Sequence, residues 1–284
     1  MRIPGRWLAA VCAALAAACA PALREPPPVT AIGERSGTSV ATASASEVPA
    51  LLNEAEQLFA RRPDMTAVVR AYGTFLSAAR ADAGRVEGLL GAARAAAWLI
   101  EHEPDEPRRS VLATEAVQAC QRCLERASAD GTPETIVACK YRLALALGQQ
   151  ARERRSTAKD GLEKMVALLE DVIAQDPLLD KAGGHRVLGL VLLRAPGWPA
   201  GPGDPDLALE HARKADELVP DDADNLLVLA EALADTGAPA ESRAAYERAL
   251  TIARGRQAAG DPDAADIIQA AELALKKVPA PYGT

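Results

Sequence analysis

Leu229-Ala230-Glu231-Ala232-Leu233-Ala234-Asp235-Thr236-Gly237, then Ser242-Arg243-Ala244-Ala245-Tyr246-Glu247-Arg248-Ala249-Leu250, is the stretch that decides the fold. Apolar side chains recur at helical spacing on both sides of Gly237, so the segment reads as two helices joined by a tight turn. Leu229 and Ala230 form a close pair on the first helix, and Leu233 follows one turn later. Ser242, Tyr246 and Ala249 give the second helix a small-large-small face. Upstream, Leu188, Gly189 and Leu192 take the first set of positions, and Ala208, Ala212 and Ala215 take the second, with Pro220 closing the unit. Ala215 and Ala249 stand 34 residues apart. Val172 followed by Pro177 fits the closing half of a third, less regular unit.

These identities at this period resemble the tetratricopeptide repeat. Small side chains let the two helices of a unit cross closely, and larger ones fill the groove to the next unit. No pair buries its apolar face alone, so the pairs must stack. The resemblance implies an all-α fold, a superhelical stack of antiparallel helix hairpins. It is regular over 183–253 and looser over 47–182. Helical periodicity predicts helices over 47–61, 64–81, 84–102, 108–128, 133–154, 160–175, 183–194, 205–219, 223–236, 238–254 and 262–277. Pro63 breaks the first, and Asp64 places an acid at the start of the second. Asp204-Pro205 and Asp261-Pro262 each read as an N-cap carboxylate before a proline at the first helical position. Only 3% of residues are aromatic, so the core must close on Ala and Leu.

Outward from the repeats, the first 18 residues read as an export signal. Arg2 and Arg6 precede an uncharged apolar run from Trp7 to Ala18, which is too short to span a bilayer. Leu15-Ala16-Ala17-Ala18-Cys19 resembles a bacterial lipobox, in which Cys19 becomes the lipidated first residue. Ordinary cleavage after small residues, or an uncleaved start, are the alternatives. Losing two arginines to cleavage takes the formal net charge from −7 to −9, which argues against a nucleic-acid partner. Ala20 lacks the aspartate that retains lipoproteins in the inner membrane, so the outer membrane is the expected site. Residues 19–46, rich in Pro, Ser, Thr and Ala, read as a linker with a reach of roughly 30 Å. The helical domain spans 47–278, with a tail over 279–284.

Cys120, Cys123 and Cys139 remain in the exported domain. Cys123 and Cys139 each lie eight residues from Gly131, at the turn Ala129-Asp130-Gly131-Thr132-Pro133, so an antiparallel hairpin sets them level. A Cys123–Cys139 disulfide is expected. Three small buried thiols are the alternative, and neither a βαβ pattern nor a nearby His supports a redox or metal site.

One unit departs from the period. Ala195-Pro196-Gly197-Trp198-Pro199-Ala200-Gly201-Pro202-Gly203 lengthens it by seven residues relative to the next. Trp198 is one of two tryptophans outside the signal. It either lies as a lid over its own helix pair or waits for a ligand or partner. With Gly183-Gly184-His185-Arg186-Val187-Leu188-Gly189 and Asp204 to His211, this stretch resembles the T component of tripartite ATP-independent periplasmic (TRAP) transport systems. The resemblance implies a periplasmic, lipid-anchored repeat protein that forms a homotrimer with a hydrophobic channel and docks a solute-binding protein. A general envelope scaffold holding a peptide or assembly factor is the alternative.

The ligand or partner candidates are His185, Arg186, Arg194 and Trp198. Arg186 and Arg194 sit roughly 80° apart around one helix and suit a carboxylate. Pairing with Asp204, Asp206 or Glu210 is the structural reading. The three histidines are widely spaced and do not make a metal site. Asp221-Asp222-Ala223-Asp224 reads as helix capping, and Glu101-His102-Glu103 as a solvated helix end. No catalytic or phosphate-cradling motif is present, so neither enzymatic activity nor a cofactor is expected.

Overall fold

The computed structural model describes residues 44–154 and 158–278. The signal, Cys19, most of the linker and the tail 279–284 lie outside the described residues. A 3-10 turn over Ala45–Glu47 leads into α1 (Val48–Phe59), α2 (Met65–Ala81), α3 (Glu87–His102) and α4 (Glu106–Asp130). Then come α5 (Pro133–Glu153), α6 (Ala158–Gln175), α7 (Leu179–Arg194) and α8 (Pro205–Leu218). The last are α9 (Ala223–Asp235), α10 (Pro239–Ala258) and α11 (Ala264–Leu275). Among the described residues there is no strand, only an isolated bridge between Gly197 and Gly203.

Side-chain capping sets five of the starts. Asp64 accepts from Ala67 N, Asp105 from Arg108 N, Thr132 from Thr135 N and Asp204 from Leu207 N. Each satisfies a backbone donor that the first turn leaves open. Asp222 does the same for α9, accepting from Asp224 N and Asn225 N. The Asp261-Pro262 expectation is overturned: α10 runs on to Ala258, and α11 begins after N-cap Asp263. Asp261 instead accepts from Asp263 N and Arg256 Nε, so its carboxylate is spent on the turn.

Each helix pairs antiparallel with the next, and the odd-numbered helices also touch one another in sequence from α1 to α11. The even-numbered ones stand behind them. The contacts are made by small residues, and Ala92, Ala95, Ala96, Ala144, Ala208, Ala212, Ala215, Ala230 and Ala249 are fully buried. At Gly88 a Cβ would lie 2.7 Å from both Ala79 N and Phe75 O, so α3 crosses α2 with backbone against backbone. Gly189 meets α8 in the same manner, 3.2 Å from Ala208 O. Ser242, at 0% exposure, donates to Ala230 O at 2.7 Å and ties α10 to α9.

α7 holds an unexpected start. Asp180, Lys181 and Ala182 have φ of 51°, 57° and 61°, a left-handed turn that L-residues adopt at about 1–2 kcal/mol each. The right-handed helix resumes at Gly183.

The last element returns to the first. Arg62, in the turn after α1, donates to both carboxylate oxygens of Asp263 at 2.8 and 3.0 Å, across 201 residues of sequence. His102 Nε2, at the end of α3, lies 3.3 Å from Asp266 of α11. The repeat stack therefore closes on itself through side chains. None of the described helices is long and apolar enough to cross a membrane.

Candidate functional site

Among the described residues, two recesses lie along the odd-numbered helices, one of them reaching α10. The first, about 530 Å³, gathers side chains from α1, α3 and α5, with Asp180 and Asp263 at its edge. Arg94, Ala97, Trp98 and Glu101 enter it from one stripe of α3, and Arg142 and Gln149 enter from α5 two turns apart. Arg62 and Arg94 place their guanidiniums 3.8 and 4.6 Å from the Phe59 ring centroid. Trp98 is held flat by His102, whose ring stacks on it at 3.9 Å and whose Nδ1 lies 2.8 Å from Trp98 O. His102 thus sits between Trp98 and Asp266, which corrects the solvated-end reading for His102, while Glu101 stands exposed at the helix end as expected.

The carboxylates of this recess are all engaged. Glu56 pairs with Arg94, and Asp263 with Arg62. Glu101 pairs with Arg152, and Asp180 with Arg186. Arg142 has no ion pair or hydrogen bond among the described residues; its nearest ring contact is Tyr141, 5.5 Å from the guanidinium carbon.

The second recess, about 660 Å³, lies between α7, α9, α10 and α11 and includes Arg194, Leu227, Glu231, Tyr246, Leu273 and Lys277. Arg194 donates to Glu231 at 3.0 and 2.7 Å. Burial and the neighbouring Glu231 push the Tyr246 hydroxyl up to about 12.

The sequence candidates do not form one site. Arg194 lines the second recess. Arg186 staples the left-handed turn: Nη1 donates to the carbonyls of Asp180 and Lys181 at 3.1 and 3.3 Å and to Asn225 Oδ1 at 3.1 Å. Its Nη2 meets the Asp180 carboxylate at 2.9 Å, which also accepts from Tyr141 OH at 2.6 Å. Asn225 completes the network by donating to Lys181 O and Ala215 O at 3.1 and 3.3 Å. The expected partners Asp204, Asp206 and Glu210 are therefore wrong for both arginines. Those acids sit on α8 or cap it, whereas the arginines of α7 reach forward to α9.

His185 is 8% exposed, and its Nδ1 lies 2.9 Å from Nδ1 of His211, so two of the three histidines are in contact despite their distance in sequence. Burial, with His211 and Lys214 nearby, lowers His185 to about 4; burial also lowers His211. Among the described residues no group of three or more His, Cys, Asp or Glu could hold a metal ion. Asp221-Asp222-Ala223-Asp224 spends its carboxylates on Arg248, on the α9 cap with Lys181, and on Arg256.

Trp198 is 89% exposed, which overturns the lid reading. The loop beneath it is held by its own backbone: Gly203 N donates to Pro196 O at 2.9 Å and Asp204 N to Leu192 O at 2.9 Å. Cys123 and Cys139 are joined in a disulfide between α4 and α5, and Cys120 is a buried free thiol pushed up to about 12 by desolvation.

Sequence reasoning missed Arg62, Arg94, Trp98, His102 and Arg142. The recurring polar and aromatic positions on the otherwise Ala-rich α3 were the available signal.

No protein-family profile matches the chain, and no curated protein matches it. Among solved structures, a thermophilic TPR protein of Thermus thermophilus is similar. It is 22% identical, with a TM-score of 0.56 over 80% of this chain and 99% of that one. The likeness shows the fold, a tetratricopeptide-type helical repeat.

Proposed function

We propose that this chain is a non-enzymatic scaffold, exported to the periplasm and anchored by lipid at Cys19 to the outer membrane, that holds a protein partner. The observation that carries this reading is Trp198. A tryptophan at 89% exposure on a braced Pro/Gly loop is not covered by the described residues, and large, stiff aromatics of this kind dominate binding energy in protein interfaces. The finer reading is a TRAP-type T component whose partner is a periplasmic solute-binding protein and whose assembled state is a homotrimer. It is supported by the resemblance over 183–212. A general envelope scaffold is the second reading. It is favoured by the charged lining of both recesses, which does not suit the apolar channel that the first implies.

The test is purification of the full chain from membranes with Cys19 intact, beside Trp198→Ala and Cys19→Ala variants. The proposal expects a lipid-modified Cys19, a stoichiometric partner protein, and weaker capture by Trp198→Ala at unchanged helicity. A solute-binding protein as that partner supports the T-component reading, and another protein favours the general scaffold. Recovery of no stoichiometric partner contradicts both.

A further inference from the structure

We propose that the recess between α1, α3 and α5 is a binding site for a small organic carboxylate with a flat apolar body, a function beyond the partner-holding role. Glu56, Glu101, Asp180 and Asp263 border the recess, and each is paired with an arginine, so no free carboxylate among the described residues faces a ligand. Arg142, half-buried on α5, is left over as a guanidinium without a carboxylate among the described residues. A planar fork of donors facing a recess is matched by a planar carboxylate. One excess positive charge suits a monoanion and disfavours a dianion.

The rest of the ligand is read from the walls. Trp98 lines the recess with its indole fixed by His102, and Ala97 beside it leaves room above the helix. Gln149, two turns along from Arg142, donates Nε2 to Ala97 O at 3.1 Å and so forms part of the wall rather than a free amide. A volume of about 530 Å³ lies in the range of small-molecule sites. The Arg62–Asp263 pair borders the same space, so the closure of the stack forms one edge of the site.

The test is calorimetric titration of the intact protein with phenylacetate, and with phenylacetamide as the uncharged isostere. The site predicts phenylacetate binding with a Kd of about 0.1–1 mM, and phenylacetamide at least about tenfold weaker. Arg142→Gln is expected to weaken phenylacetate about tenfold or more while leaving the amide unchanged, and Arg142→Lys to keep part of the affinity. Acetate, which has no body for the Trp98 wall, is expected to bind more weakly than phenylacetate. The acid-against-amide comparison is made on the unaltered chain, so it decides the matter even if Arg142→Gln does not fold. Equal binding of acid and amide, an unchanged affinity in folded Arg142→Gln, or no phenylacetate binding up to about 10 mM overturns the site.

Discussion

Arg186 shows how far a single residue's role depends on what the chain does around it. From sequence it is a cation near a glycine pair, expected to meet Asp204, Asp206 or Glu210 or to take a carboxylate. In the fold it neutralises Asp180 and satisfies two carbonyls that the left-handed turn turns inward. Its own side chain is 16% exposed, while the Asp180 side chain it meets is 41% exposed. Arg186→Met is expected to cost about 1–3 kcal/mol, because it removes the donors to Asp180 and Asn225, while Asp180 keeps Tyr141 and water, and Lys181 O keeps Asn225; denaturant unfolding measures this. The His185–His211 contact makes a pH prediction. Unfolded imidazoles take up protons as the pH falls through about 6.5, while folded His185 resists down to about 4. The unfolded state thus binds more protons in this window, and stability is lost as the pH drops. Melting at pH 7.5 and at pH 5 is expected to show a smaller acid-induced drop in His185→Gln than in the parent chain. The partners of these residues were not legible because contacts across 26 and 39 positions leave no local trace.

The helices themselves were legible. Starts with Asp or Thr before proline, as at Asp204 and Thr132, and small residues at a fixed period are local rules that leave a trace in the sequence. Ala208, Ala212 and Ala215 read as a close-packing face, and all three are fully buried. The misreadings fell where local rules compete: Asp261-Pro262 suits a helix start, yet the turn takes that carboxylate. The left-handed turn of α7 was invisible because none of its three residues is glycine. Gly88→Ala tests the crossing of α2 and α3. Its Cβ would meet backbone at 2.7 Å, so a residue that favours helix by about 1 kcal/mol is expected to destabilise by about 1–3 kcal/mol. Calorimetric melting reads the sign directly. Reducing the Cys123–Cys139 link, which closes 16 residues between α4 and α5, is expected to lower stability by about 3 kcal/mol. Guanidinium unfolding with and without reductant gives the difference.

At the scale of the molecule, the small-residue period makes successive helix pairs stack, and the stack brings α11 back to α1 and α3. This return places Arg62, Trp98, Arg142 and Asp263 around one recess, although 201 residues separate the outermost two. It could not be read from the sequence, because the curvature that produces it is summed from many small crossing angles. The Arg62–Asp263 contact is the joint on which the recess depends. Arg62 is mostly buried, with 11% of its side chain exposed, and it meets the carboxylate with two nitrogens, so the pair is better placed than an ordinary surface bridge. A double-mutant cycle on Arg62→Ala, Asp263→Ala and the double variant reads it in solution. A closed stack predicts that the two changes couple by about 0.5–2 kcal/mol in unfolding free energy. Additivity within about 0.3 kcal/mol would mean that the first and last elements do not meet, and the recess would not exist as described.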